Sequence, residues 1–202
     1  MEEEMQYAED ATMHVPTELY LKSGIHIGTK FRTKAMQPFI YKTRPDGLSV
    51  LDIKKIDVKL GEFAEYLAQF SPDQILVVSR RENGWKPVRS FGKWTGTKHY
   101  SGRYPPGMLT NPSLDIFQEA KVLVAVDAWP DRNAISDALK VGMKVTALCD
   151  TNNTDFNLNF LMPANNKGKK SLGLLFWALA REYNKRRGMP EVTATVEEFT
   201  ED

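Results

Sequence analysis

The sequence predicts an α/β fold in three layers, with a parallel sheet covered by helices on both faces. Two observations predict it. First, three short apolar runs rich in β-branched residues recur: Ile75-Leu76-Val77-Val78, Val122-Leu123-Val124-Ala125-Val126 and Val145-Thr146-Ala147-Leu148-Cys149. Continuous apolar runs of this length are what a strand buried on both faces needs. Second, apolar residues elsewhere recur at helical spacing. Ile56, Leu60, Phe63, Leu67 and Phe70 are separated by alternating steps of four and three and so share one helix face. Strands that alternate with amphipathic helices assemble into a parallel sheet.

Taken in order, residues 1–15 read as an acidic flexible tail, 16–190 as a single domain and 191–202 as a second acidic tail. Pro16 and Thr17 open a short helix that stops at Ser23-Gly24. Residues 25–47 mix Gly, Pro, Thr and basic residues without a period, as an N-terminal arm or long loop does, and they are expected to be mobile until bound. Residues 48–51 read as a strand. The helix over 56–70 ends at Ser71-Pro72, because the residue before proline is pushed out of helical geometry. Trp85, Phe91 and Trp94 have helical spacing and read as core. Tyr100 and Tyr104 sit among Gly102, Pro105, Pro106 and Gly107 and read as exposed. Asp131 caps a helix running to Lys140, with Gly142 at its end. Residues 158–162 suit a last strand. The final helix carries Leu172, Leu175, Phe176, Leu179 and Tyr183, and Gly188 with Pro190 closes it.

With 202 residues and 42% hydrophobic content the chain can bury one good core. No apolar run approaches the roughly 20 residues that span a bilayer. Met1-Glu2-Glu3-Glu4 lacks the basic start and apolar stretch of a signal peptide. A cytoplasmic location without membrane contact is expected. The one cysteine, Cys149, falls on a predicted buried strand, which excludes an intramolecular disulfide and suits a reducing compartment.

The net charge is only +1, but its distribution is uneven. Residues 20–45, 79–110 and 163–190 hold 20 of the 27 Lys and Arg and two of the 26 Asp and Glu, Glu82 and Glu182, for a net of +18. The remaining residues carry seven basic against 24 acidic side chains, a net of −17. Segregation on this scale describes a polyanion-binding face on an acidic body. Aromatic residues are interleaved with the cations, which adds rings able to stack on unpaired bases. The candidate RNA-binding residues are therefore Lys30, Arg32, Lys34, Lys42 and Arg44 in the first segment, Lys93, Lys98, His99, Tyr100 and Arg103 in the second, and Lys167, Lys169 and Lys170 in the third.

Signals for chemistry are thin. No G-x-G-x-x-G follows a strand. Gly168-Lys169-Lys170-Ser171 looks like the end of a phosphate loop, yet the position five residues before Gly168 is Pro163 rather than glycine. Thr95-Gly96-Thr97 echoes a flavin phosphate loop but follows a helix instead of a strand. His14, His26 and His99 lack metal-ligand spacing. Asp127 falls at the carboxyl edge of the predicted sheet with Asp131 close behind, and nothing nearby supplies a nucleophile, so both read as loop and cap acids. No catalytic residue, metal, cofactor or small-molecule substrate is expected. The alternative is a flavin- or nucleotide-binding α/β enzyme working at that carboxyl edge.

Several stretches resemble one family. They are Ser23-Gly24-Ile25-His26-Ile27-Gly28, Met36-Gln37-Pro38-Phe39-Ile40 and Leu51-Asp52-Ile53-Lys54-Lys55, then Gly107-Met108-Leu109-Thr110-Asn111 and Val124-Ala125-Val126-Asp127. Ala147-Leu148-Cys149-Asp150-Thr151-Asn152, Pro163-Ala164-Asn165-Asn166-Lys167-Gly168 and Ser171-Leu172-Gly173-Leu174 complete the set. In this order, across residues 16–190, they resemble the S-two family of small-subunit ribosomal proteins. The resemblance implies a flavodoxin-like domain without flavin. It also implies a place on the solvent side of the small subunit near the head–body junction, touching ribosomal RNA and neighbouring ribosomal proteins. Bacterial members carry a long helical hairpin after the position of Asn111, whereas here Asn111-Pro112-Ser113-Leu114 leads almost directly into the next helix and strand. That departure, with Trp177-Ala178-Leu179-Ala180-Arg181-Glu182, resembles the archaeal and eukaryotic branch. No long acidic extension of the eukaryotic kind is present, which favours an archaeal member.

Overall fold

A computed structural model describes residues 13–200. Its elements are α1 (Thr17–Ser23), β1 (Ile40–Thr43), β2 (Ser49–Leu51), α2 (Ile53–Ala68), β3 (Ile75–Ser79), α3 (Trp85–Thr95), β4 (Lys98–Ser101), β5 (Val122–Ala125), α4 (Arg132–Lys140), β6 (Lys144–Cys149), β7 (Phe160–Pro163) and α5 (Lys169–Arg187).

The apolar runs become the middle of the sheet. β3 and β5 are buried along their whole length, and β6 is buried after Lys144. The five strands lie in the order β4-β3-β5-β6-β7, and every pair is parallel. Counted from β3, this is the 2-1-3-4-5 order of the flavodoxin-like doubly wound sheet. The chain moves from β3 to β4 in one direction and from β5 to β6 in the other. Right-handed crossovers then place α3 and α4 on opposite faces. α5 packs between α2 and α3 on the first face. There Phe63 stacks on Phe160 with ring centres 5.0 Å apart, and Phe91 meets Phe176 at 5.5 Å.

The second face is covered by α4 and by the long segment joining β4 to β5, whose Tyr104, Met108 and Leu109 are buried. This corrects the expectation that Tyr104 is exposed: its hydroxyl donates to Asp137 of α4 at 3.2 Å and accepts from the Leu109 amide at 3.2 Å. The Gly and Pro around it shape a fold-back, and the ring fills the space that α4 leaves. Tyr100 is half-buried on β4.

Two strands carry no apolar run, and periodicity does not reveal them. β1 is mostly exposed and pairs antiparallel with β2, while β4 is the half-exposed edge of the main sheet. The arm is also tied down. Gly28 donates to Ser49 O at 2.9 Å, Ser49 donates to Thr29 O at 3.0 Å and Leu51 donates to His26 O at 2.8 Å. Glycine is required at position 28, since a Cβ there would lie 2.4 Å from Thr151 Cγ2. The arm is therefore an ordered part of the fold, built on backbone hydrogen bonds that composition does not disclose.

Of the expected tails, residues 1–12 and 201–202 lie outside the described residues. The remainder is packed. Val15 is buried, and the His14 amide donates to both carboxylate oxygens of Asp57 at 3.0 and 3.2 Å. Residues 191–200, read as an acidic tail, bury Val192, Ala194 and Phe199 against the helical layer, and Trp177 Nε1 donates to Ala194 O at 2.8 Å. Three apolar side chains are enough to anchor a segment whose charge suggests disorder.

Candidate RNA interface

Parallel strands end together, so the segments that follow them meet at one edge. Arg80 and Arg81 follow β3, Asp127 follows β5, Asp150 to Asn153 follow β6, and Asn165 to Gly168 follow β7. The β3–β5 boundary is the topological switch point, where sheets of this kind open a ligand crevice. Here Arg81, Asp127, Asn153 and the Asn166 side-chain amide nitrogen are paired with one another. Arg81 Nε donates to Asp127 Oδ2 at 2.7 Å, and Asn153 Nδ2 donates to Asp127 Oδ1 at 3.1 Å. Asn166 Nδ2 donates to Asn153 Oδ1 at 3.1 Å and to Leu148 O at 3.0 Å. Asp131, 2% exposed, turns away from α4 and accepts from the amides of Arg80 at 2.8 Å and Asp127 at 3.2 Å. Burial raises its pKa to about 7, against the pull of those two amides. Gly84 packs tightly against the end of β3, where a Cβ would come within 2.3 Å of Ser79 Oγ.

The arm crosses this edge. Thr33 donates from its amide to Thr151 O at 3.0 Å and from its hydroxyl to Asn153 O at 2.6 Å. The Asn165 amide donates to Ile25 O at 2.9 Å, and Asn165 Nδ2 donates to Gly24 O at 3.1 Å. The first and third basic segments are thereby joined. Lys30, Arg32 and Lys34 lie exposed on the arm, and Lys169 and Lys170 lie exposed in the first turn of α5. The arm also carries the β1–β2 hairpin, so Lys42 and Arg44 belong to the same side; Arg32 donates to Thr43 Oγ1 at 3.1 Å, and Arg44 pairs with the exposed Asp46 at 3.4 Å. Exposed pairs of that kind hold their partners weakly.

α5 makes the charge pattern pointed. A helix N-terminus favours anions, and cations there oppose the macrodipole. Yet the first turn of α5 has two lysines and no acid, and its cap residue, Gly168, makes no side-chain capping bond. Lys167 belongs to the fold instead: its ammonium binds the buried Asp150 and also Asn152 Oδ1 at 2.9 Å. A carboxylate with a 1% exposed side chain needs such a counter-charge.

The second segment is split. Arg103 is exposed just beyond the carboxyl end of β4. Lys98 begins β4 and so lies at the opposite edge of the sheet, where its ammonium donates to Glu119 O at 2.7 Å. Lys93, late in α3, lies over the Trp94 ring at 5.9 Å and lines a surface depression with Glu197 and Glu198. His99 is exposed on β4 and packs close to Gly92. The structure brings the first segment, Arg103 and the α5 lysines toward one side and leaves Lys93 and Lys98 at the far edge. Sequence reasoning passed over Arg80, Arg81 and Arg132, which stand on the carboxyl edge; their position after strands was the available signal. Among the described residues no group of three or more His, Cys, Asp or Glu could hold a metal ion, and no helix is long and apolar enough to cross a membrane.

The family model "Ribosomal protein S2" matches residues 20–121 and 114–185. The chain belongs to the ribosomal protein S2 family. It is similar to archaeal proteins named small ribosomal subunit protein uS2. The one from Nanoarchaeum equitans is 46% identical over 189 residues, covering 92% of this chain and 94% of that protein. Those of Thermoplasma acidophilum and Pyrobaculum arsenaticum are 46% and 45% identical and cover 89% and 93% of this chain, and 90% and 89% of their own lengths. The S2 family is structural and non-enzymatic, and this member is of the archaeal type, a structural component of the small subunit of the ribosome. The two matched stretches overlap at residues 114–121, in the segment before β5.

Proposed function

We propose that the chain binds small-subunit ribosomal RNA with the carboxyl edge of its sheet and the adjoining arm and hairpin, through phosphate contacts, with no catalytic step and no small-molecule substrate. The observation that carries this reading is the junction of the arm with the start of α5. Hydrogen bonds from Asn165 hold the two together, and they jointly present Lys30, Arg32, Lys34, Lys169 and Lys170. A lysine such as Lys170 at a helix start opposes the helix dipole in the isolated protein and helps draw a phosphate to that end. The flavin or nucleotide alternative loses its ground at the switch point, where Arg81, Asp127 and Asn153 already satisfy one another. Neighbouring ribosomal proteins would take surfaces away from this edge. Binding of the protein to deproteinised archaeal small-subunit RNA, followed across salt concentrations, tests the reading. Log affinity should fall linearly with log salt, with a slope near about −0.9 per phosphate contacted in duplex. A slope close to zero rejects it.

A further inference from the structure

Three large aromatic side chains project into solvent around the carboxyl edge: Phe31 is 79% exposed, Trp129 75% and Phe156 78%. Rings of this size normally fill cores or interfaces. Their backbones, by contrast, are held firmly. The carbonyl of Phe31 accepts from Thr29 Oγ1 at 3.1 Å, and two residues on, Thr33 is tied to Thr151 and Asn153. The Trp129 amide donates to Asp127 Oδ1 at 3.0 Å, the oxygen that also receives Asn153, and Pro130 stiffens the chain behind it. Phe156 leaves the same Asn153 junction in a turn closed by Leu158 N to Asp155 O at 3.1 Å, with Asn157 at a φ of 62°. Pinned backbones beneath bare rings describe a surface organised before its partner arrives, which lowers the entropy lost on binding.

The neighbours say what that partner is. Lys30 and Arg32 flank Phe31, and Arg132 follows Trp129 by three residues, all of them exposed. The exposed acid beside Phe156 is Asp155, while Asp127 is buried and already bound to Arg81. A protein partner covering these rings would have to desolvate the cations. RNA would use both: phosphates meet the cations, and a base presents a flat apolar face to the ring. In a duplex the bases stay stacked on one another, so only unpaired nucleotides offer that face. We propose that Phe31, Trp129 and Phe156 are stacking platforms for unpaired RNA bases. This rests on the RNA-binding reading above and deepens it, naming unpaired nucleotides as what the carboxyl edge takes.

The test uses the full chain with three probes: deproteinised archaeal small-subunit RNA, a 12-nucleotide oligoadenylate, and an RNA duplex of 12 base pairs. Phe31→Ala, Trp129→Ala and Phe156→Ala should each weaken binding to the ribosomal RNA about 5- to 100-fold while leaving the salt slope unchanged. Trp129→Phe should restore most of the loss at that position. Oligoadenylate should quench the wild-type tryptophan fluorescence more than the duplex does, and the extra quenching should vanish in Trp129→Phe. Thermal melts of the variants should match wild type, since the rings pack against little. Wild-type affinity in all three alanine variants, or equal quenching by the two short probes, overturns the proposal. Normal RNA affinity with poor incorporation into small subunits also overturns it and gives the rings to a protein neighbour. An RNA affinity independent of salt in the wild type would instead bring down the underlying RNA-binding reading, so the two failures are distinguishable.

Discussion

Asp131 stands at the start of α4, yet its carboxylate serves the switch point instead of the helix, accepting from Arg80 and Asp127 amides. Burial lifts its pKa to about 7, well above an unfolded aspartate. Between about pH 4 and pH 7 the folded state therefore holds a proton that the unfolded chain has lost, and stability falls as pH rises through that window. In urea titrations the difference between wild type and Asp131→Asn should change across it, with wild type losing ground at up to about 1.4 kcal/mol per pH unit. A constant difference would mean that Asp131 is ionised throughout. Arg81 gives a second expectation. Arg81→Ala would leave Asp127 buried and short of its counter-charge, so unfolding free energy should drop by about 3 kcal/mol, while Arg103→Ala, on an exposed side chain, should stay within about 0.5 kcal/mol.

At the scale of elements, α5 works against itself. Its last turn holds Lys185, Arg186 and Arg187, which suit a helix C-terminus, but its first turn holds Lys169 and Lys170, which do not. Lys170→Glu should therefore stabilise the free protein, by roughly 0.3–1 kcal/mol in thermal melts, and at the same time weaken RNA binding. A variant that loses stability and keeps its RNA affinity would show that the lysine serves the fold. The C-terminal segment is the other element whose character is decided by packing. Gly173 on α5 lets it approach so closely that a Cβ would meet Thr200 Cγ2 at 2.1 Å, and Phe199 is fully buried beside it. Phe199→Ala should cost about 3–5 kcal/mol in denaturant unfolding, the penalty of emptying a core site rather than trimming a tail.

Over the whole molecule, charge separates two surfaces. Reversal of Lys30, Arg32 and Lys34 to Glu should block incorporation into small subunits. The equal charge change at Lys59, Lys140 and Lys144 should do far less, because Lys59 pairs with Glu62 at 2.6 Å, Lys140 pairs with Asp137 at 3.0 Å, and Lys144 begins β6 at the amino edge of the sheet. All six are exposed or half-buried, and each single change should stay within about 0.5 kcal/mol of wild-type stability, except at Lys140, whose reversal sets a like charge beside the buried Asp137 and should cost more. Sedimentation of tagged variants with small subunits reads the difference, and equal incorporation of the two sets would place the RNA face elsewhere.

The sequence by itself determined the layers of this protein. Strands buried on both faces must be apolar throughout, and helices between two layers must repeat at 3.6, so β3, β5, β6, α2 and α5 are written in local pattern. The charge segregation and the ordered family motifs were equally legible, since neither depends on which segments touch. Only the tertiary structure decided what is made by pairing between distant residues. β1 and β4 are polar strands formed by their neighbours, Tyr104 is buried by a helix some thirty residues away, and the arm is ordered by Ser49 and Thr151. The same holds for the interface. Lys167 stands only two residues before the α5 lysines, yet the structure gives it to Asp150. Lys98 shares a segment with Arg103, yet a strand that spans the sheet sets them at opposite edges. Position along a chain says which residues are basic; the direction of a parallel strand decides which of them face the same partner.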